Sequence, residues 1–288
     1  MNNENRMTTT AKDLKTDRIK VFAIICARNE GKHLFDTINS LRNQTIHIKK
    51  IIVINDGSTD NTSDIARSLD CTVVDLPFHN ENFVGRPELA ERFNVGLKIA
   101  SQEDCDYILI AGADHLLPPD YIEKIILRID KNPKIVIASG RIEGEPVFEY
   151  APRGSGRLIK ASFWKNLNGM LYPVSWGWES WLYLKAQQLG YDTVCFKDIT
   201  TKVLRPTGLG KAENLGKSMY ALGYHWEYAL GRCFLTFLKS PKAGLSMLYG
   251  WLKHDEVQRL DLAEWVFQMQ KNLFLKQLKR IIFQGGKE

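Results

Sequence analysis

The stretch KKIIVINDGSTDNT, Lys49 to Thr62, passes from the apolar run Ile51–Ile54 into a string of small polar residues with almost no transition. A run this short and this apolar predicts a strand buried on both faces, and the Asn-Asp-Gly-Ser-Thr-Asp string predicts a sharp turn into a helix. Asp60 or Thr59 supplies the side-chain oxygen that the first helical N–H groups need. That accounts for Ser58 to Asp60. Asp56, at the lip of the sheet outside the helix start, keeps two readings: a turn residue, or an acceptor of hydrogen bonds from a base or sugar.

Outward from this stretch the same unit repeats. IKVFAIICA (19–27) predicts a strand, followed by a helix over Glu30–Asn43 with Leu34, Ile38 and Leu41 on one face. After the central strand come a helix over Asp60–Leu69, the strand CTVVDLP, a helix from about Arg86 to Ala100, the strand DYILIAGA, a helix over Pro119–Ile129, and the strand KIVIASG. Buried strands alternating with amphipathic helices predict an α/β fold with a mostly parallel sheet and right-handed crossovers. Ligands of such sheets collect beyond the carboxyl ends of the strands, where Arg28-Asn29-Glu30, Asn55-Asp56-Gly57 and Gly112-Ala113-Asp114-His115 fall.

The 288 residues, 44% of them hydrophobic, suffice for one large α/β domain with an appendage. A formal charge of +6 agrees with anionic partners such as phosphates or acidic lipid and selects none of them. Five scattered cysteines with no CxxC pair read as buried thiols rather than a disulfide frame or zinc site. The polar start predicts no secretory signal, and AGLSMLYGWL is about half the length that crosses a bilayer. A cytoplasmic protein is expected, either free or peripheral on the inner face of a membrane.

Taken together, ICARNEGKHLFDTINSL, IIVINDGSTDNT, RPELAERFNVGLKIA, YILIAGADHLLPPDYIEKI and WGWESWLYLKAQQLG resemble, in order and spacing over about residues 19–205, the family 2 glycosyltransferases of GT-A fold. The resemblance implies a Rossmann-like sheet and an inverting transfer from a nucleoside-diphosphate sugar to a hydroxyl of a glycan or lipid-linked acceptor. It places Ala27, Arg28, Asn29, Glu30 and Asp56 at the base and ribose. Arg92 and Asn94 stand for an Arg-Asn pair near the phosphates or ribose, with one extra residue between them. The family's Asp-x-Asp motif, whose oxygens suit Mg2+ or Mn2+ on a diphosphate, is reduced here to Gly112-Ala113-Asp114. Asp114, flanked by Ala113, is the expected contact to metal and diphosphate, and His115 is a further ligand or a solvent-facing side chain. Arg205 stands where relatives place a phosphate-facing group.

Inversion needs a carboxylate to take the acceptor's proton on the face opposite the leaving group. The family's Glu-Asp pair becomes Trp176-Gly177-Trp178-Glu179-Ser180, and the spacing to Leu182, Lys185 and Gly190 assigns Glu179 as base. The alternatives are a shift of one, which puts Ser180, no ordinary general base, in that place, and a first-turn acid favoured by the helix dipole. Trp178 is a candidate acceptor wall and Trp181 a core residue. Arg153 and Arg157 bracket a Gly-Ser-Gly, either as acceptor or anion contacts or as solvated arginines of a flexible loop.

After Pro206 the pattern becomes helical: Lys211–Leu238, KAGLSMLYGWLKH, and Asp255–Phe283. The expected organisation is a tail (1–17), a GT-A domain (18–205) and a helical extension (206–288). Lys271, Lys276, Lys279 and Arg280, interleaved with Phe267, Leu273, Phe274, Leu278, Ile281 and Ile282, fit either a helix lying on an anionic membrane or one packed on the domain with a solvated basic face. His225 and Trp226 are expected to pack. No nucleic-acid partner is expected. A nucleotidyltransferase or dehydrogenase is disfavoured because CARNEGKHL lacks the Gly-rich signature of either. A non-catalytic sugar-nucleotide-binding relative remains, because both acidic motifs are reduced.

Overall fold

The structure, a computed structural model, describes residues 18–205 and 212–284, with side chains described through residue 275. The expected tail of residues 1–17 and the side chains of Lys276, Lys279 and Arg280 lie outside the described residues.

Eight strands form one mixed sheet: β1 (Val21–Ala27), β2 (Ile48–Asn55), β3 (Thr72–Asp75), β4 (Tyr107–Gly112), β5 (His115–Leu116), β6 (Ile135–Ile142), β7 (Arg157–Lys160) and β8 (Asp192–Val203). Their order is β3-β2-β1-β4-β7-β6-β8-β5. Strand β1 pairs in parallel with β2 and β4, and β2 with β3. Because β7 pairs antiparallel with both β4 and β6, β6 runs the same way as β4. The α/β class with a mostly parallel sheet therefore stands as expected, with β7 inserted against the common direction.

The apolar runs are continuous because these strands are covered on both sides: Val21–Ile25 and Ile52–Ile54 are fully buried. The connecting helices are α1 (Leu34–Arg42), α2 (Thr62–Ser68), α3 (Pro87–Ser101), α4 (Tyr121–Lys131) and α5 (Ala161–Asn168). Leu34, Ile38 and Leu41 of α1 and Ile122, Ile125 and Ile129 of α4 enter the same core. Two of the boundaries that differ from expectation have a local cause. Helix α1 starts four residues late, because Glu30 O accepts from both His33 N and Leu34 N and closes a turn first. The Gly-Ser-Gly loop ends sooner than expected, because Arg157–Lys160 is β7.

By internal contacts the chain forms two units. One comprises residues to His79, Val95–Leu171 and Val194–Leu204; the other comprises Asn80–Asn94, Tyr172–Thr193 and the chain from Arg205 on. The second unit holds α6 (Trp178–Gln188), α7 (Ala212–Ala221), α8 (Trp226–Lys239), α9 (Pro241–Leu252) and α10 (Ala263–Gln284). Its core joins Ala212, Met219, Ala229, Cys233, Ala243 and Met247. The single helix expected over Lys211–Leu238 is two, α7 and α8, broken around Gly223 (φ +74), where His225 N donates to Gln270 Oε1. No helix among the described residues is long and apolar enough to cross a membrane.

Candidate active site

Strand order reverses at β1: the chain lays β2 and β3 to one side of it and then crosses to lay β4 on the other. Such a reversal opens a crevice beyond the strands' carboxyl ends. The register places Ala27 opposite Asn55 and Cys26 opposite Gly112, so Arg28, Asp56 and Asp114 all leave the sheet at one edge, with β1 between the two acids. With neighbouring strands about 4.8 Å apart, β2 and β4 are about 10 Å apart.

The turn after β2 is tied to its neighbours residue by residue. Asp56 N donates to Ala27 O at 2.8 Å, and Asn55 Nδ2 donates to Asp75 Oδ1 at 2.8 Å. Asn29, held at φ 53, accepts on Oδ1 from Thr59 N at 2.8 Å and donates from its backbone N to Ser58 Oγ at 3.0 Å. Asp60 takes Thr62 N at 3.0 Å on one oxygen and Gly31 N at 3.0 Å on the other. Burial opposes ionisation of Asp60, but the hydrogen bonds from Thr62 and Gly31 outweigh it and keep its pKa below the usual carboxylate value. Ser58, Thr59 and Asp60 thus join two loops as well as starting α2.

Asp56 is 4% exposed and paired to a residue that the spacing did not flag. His79 Nε2 lies 3.1 Å from Asp56 Oδ1, and Arg28 Nη1 lies 2.9 Å from His79 Nδ1, while Arg28 Nη2 donates to His79 O. A guanidinium only donates, so His79 Nδ1 accepts from Arg28, and Nε2 stands within ion-pair distance of Asp56. His79 reaches this place because the Pro77–Phe78 backbone lies against Gly57 (φ +65): a Cβ there would sit 2.7 Å from Pro77 O and 2.8 Å from Phe78 Cα. Glu30 is buried, with its N donating to Thr62 Oγ1 at 2.8 Å.

At the end of β4 the reduced acidic motif has a physical counterpart. Ser155 Oγ accepts from Gly112 N at 2.7 Å and would lie 3.0 Å from a Cβ at residue 112. The same hydroxyl contacts His115 Nδ1 at 2.5 Å. His115 is 1% exposed, packed against Gly156, and its Nε2 is buried without a hydrogen-bond partner. Burial, reinforced by Arg153 and opposed by Asp114, pushes its pKa down to about 4, so the ring is neutral. It does not face solvent. Among the described residues no group of three or more His, Cys, Asp or Glu is arranged to hold a metal ion. One partly exposed carboxylate beside a buried imidazole already bonded at Nδ1 does not fit a divalent cation held by the protein alone.

The Gly-Ser-Gly loop is not flanked by two solvated arginines. Arg157 is 2% exposed and donates to the carbonyls of Arg153, at 3.1 Å, and Pro152, at 2.8 Å. Arg153 pairs with Glu145.

In the second unit, Glu179 is exposed in the first turn of α6. Trp178, expected as an acceptor wall, is instead 4% exposed: its Nε1 donates to Arg86 O at 3.1 Å, and its ring packs on Tyr172 and Phe93 at 4.7 and 5.8 Å. Trp181 is core, donating to Asp261 Oδ1 at 2.7 Å. Asn94 is buried, donating to Tyr172 O at 2.9 Å and accepting from Tyr172 N at 2.8 Å, so its amide fixes a backbone. Arg92 pairs with Glu91 and lies 4.6 Å from the Phe83 ring centroid; Arg205 is exposed. His225 packs as expected, 4.6 Å from the Phe267 ring, while Trp226 is 54% exposed.

Comparison with known proteins assigns the class. The profile of Glycosyl transferase family 2 matches residues 22–195, and the chain belongs to that family. An uncharacterized glycosyltransferase of Haemophilus influenzae and a poly-beta-1,6-N-acetyl-D-glucosamine synthase of Staphylococcus epidermidis are each 32% identical over 127 residues, 43% of this chain. Those matches span only 36% and 27% of the relatives' own lengths. Among solved structures, a mannosyltransferase from Pyrobaculum calidifontis in complex with GDP-Man and Mn2+ aligns with TM-score 0.57 at 14% identity, over 88% of this chain and 80% of that one. Glucosyl-3-phosphoglycerate synthase from Mycobacterium tuberculosis, in complex with Mn2+, UDP and phosphoglyceric acid, aligns with TM-score 0.53 at 17% identity, over 74% and 79%. At these identities the solved structures share the fold.

Proposed function

We propose that the chain is an inverting glycosyltransferase that moves a sugar from a nucleoside-diphosphate sugar to a hydroxyl of a glycan or lipid-linked acceptor. The observation that carries this reading is the shared edge of β2, β1 and β4, where Asp56, Arg28 and Asp114 leave adjacent parallel strands at a reversal of strand order. Asp56 accepts from the base, its carboxylate oriented by the Arg28–His79 chain. Ala27 and Asn29 contribute by setting the turn, through the hydrogen bonds to Asp56 N and Thr59 N. Asp114 lies toward the diphosphate and any cation that arrives with it. The donor set among the described residues does not fit a metal held by the protein alone. Arg205, exposed and cationic, is a candidate to neutralise the leaving diphosphate.

Glu179 is the proposed base. It takes the acceptor hydroxyl's proton as that oxygen bonds to the anomeric carbon and the bond to the diphosphate breaks, inverting the centre. Its position as an exposed carboxylate in the first turn of α6 supports this reading. The chain is expected to work as a peripheral protein on an anionic membrane surface reached through its C-terminal helices.

Glu179→Gln tests the assignment. Turnover should fall by about 10²–10⁴-fold while donor affinity stays within about twofold. Unchanged turnover rejects Glu179 as base, and donor binding without transfer or donor hydrolysis in the unsubstituted chain would favour a binding protein.

A further inference from the structure

Helices α8 and α9 carry an outward apolar face that the packing of their own unit leaves uncovered. Leu230, Phe234 and Leu238, at i, i+4 and i+8 of α8, are 40%, 61% and 64% exposed, and Leu235 beside them is 63% exposed. On α9, Leu245, Tyr249 and Leu252 are 59%, 49% and 61% exposed. Loose docking of the hairpin does not cause this. A Cβ at Gly244 would lie 2.5 Å from Phe237 Cα, so the two helices approach backbone to backbone, and Ala229, Cys233, Ala243 and Met247 fill the inner side. Both faces of the hairpin are apolar and only one is buried. An uncovered patch of this kind marks an interaction surface.

Charge identifies the occupant. From Tyr228 to His254 the chain carries Arg232, Lys239, Lys242 and Lys253 and no acidic residue. All four are exposed. Arg232 and Lys239 bracket Leu235 at i−3 and i+4, along one flank of the apolar face of α8, and Lys242 stands three residues before Leu245 on α9. With 14 and 12 residues the helices are about 21 and 18 Å long, short of the ~30 Å needed to span a bilayer. A second copy apposed on the same face would bring these like charges together; the acids Asp255 and Glu213 stand beside Lys253.

We infer that the α8–α9 face lies in the headgroup region of an anionic membrane, with Leu230, Phe234, Leu235, Leu238, Leu245 and Leu252 entering the acyl boundary and the four cations meeting lipid phosphates. This surface is distinct from the C-terminal stretch around Lys271–Arg280 that the sequence pointed to. The inference rests on the membrane contact proposed above and locates it on this surface, and it does not depend on the chemistry assigned to Asp56 and Glu179.

Sedimentation of the full chain with sucrose-loaded vesicles tests it, comparing pure phosphatidylcholine with phosphatidylcholine containing about one third phosphatidylglycerol. Binding to the anionic vesicles is expected, with little to the neutral ones and weakening as salt rises. Arg232→Gln/Lys239→Gln/Lys242→Gln should lower the anionic partition coefficient about 100-fold, at about fivefold per charge. Phe234→Ser/Leu245→Ser should abolish binding that survives high salt. These positions are exposed, so thermal unfolding and donor binding should be unchanged in both variants, and a loss of donor binding would bear on the proposed function alone. Equal binding to both vesicle types, none to either, or a concentration-dependent dimer in light scattering that Phe234→Ser/Leu245→Ser dissolves would overturn the inference.

Discussion

Gly57→Ala tests the geometry of the base site with a magnitude that follows from the coordinates. Two separate penalties apply. The first is conformational: at φ +65 an alanine costs roughly 1–2 kcal/mol that glycine does not. The second is steric: the new Cβ would meet Pro77 O at 2.7 Å and Phe78 Cα at 2.8 Å, both backbone atoms that cannot rotate away. Relief requires the Pro77–His79 segment to move, at a further cost of about 1–3 kcal/mol, and that movement withdraws His79 from Asp56. The sum is roughly 2–5 kcal/mol, or a fall in Tm of about 4–20 °C at the 2–4 °C per kcal/mol expected for a chain of this size. Gly144→Ala is the internal control, because Gly144 has φ +75 with nothing within 4 Å of its would-be Cβ. It should show the conformational part alone. Urea unfolding of the two variants, followed by Trp fluorescence and read beside donor affinity, separates the terms. Equal losses in both variants, or a Gly57→Ala chain with full donor affinity, would refute the argument that this contact seats His79.

Two further outcomes are expected. His115 has its pKa pushed down to about 4 in the folded chain against about 6.5 unfolded, so below pH 6.5 the unfolded chain binds the proton first and stability falls as pH drops toward 4. The contribution is about 3 kcal/mol over that window, and His115→Gln should flatten the corresponding slope of unfolding free energy against pH; an unchanged slope would place the proton elsewhere. Mn2+ alone, without nucleotide, should move Tm by less than about 1 °C, because among the described residues no group of three or more His, Cys, Asp or Glu gathers to hold the ion; a shift of several degrees would mean a protein-only metal site.

What the sequence revealed, and what it hid, follows from the range of the interactions. The parallel edge was legible because β1, β2 and β4 are buried on both faces, so each appears as an unbroken apolar run followed at once by its polar turn. Strand β7 was hidden, since RLIK has no local pattern and is a strand only through pairing with β4 and β6, residues distant in the chain. His79 was missed for the same reason: a lone histidine past β3 gains meaning only when Gly57 lets the backbone close over Asp56. Trp178 and Trp226 exchange their expected places. A cluster of tryptophans at a helix start signals a wall or a core equally well, and the ring packing on Phe93 and Tyr172 decides for core. The outer face of α8 and α9 was illegible because apolar residues on more than one side of a helix read as buried; only the packed partner on one side exposes the other.

The central claim is that Asp56 anchors the base of a nucleoside-diphosphate sugar at the β1–β2 edge. Its most direct test is titration calorimetry of UDP-, GDP-, CDP- and dTDP-sugars against the unsubstituted chain and Asp56→Asn. The account predicts that at least one donor binds and that its affinity falls about tenfold or more in the variant, in line with loss of a charge-assisted hydrogen bond. Binding of equal strength to both proteins, or of no donor to either, would contradict it.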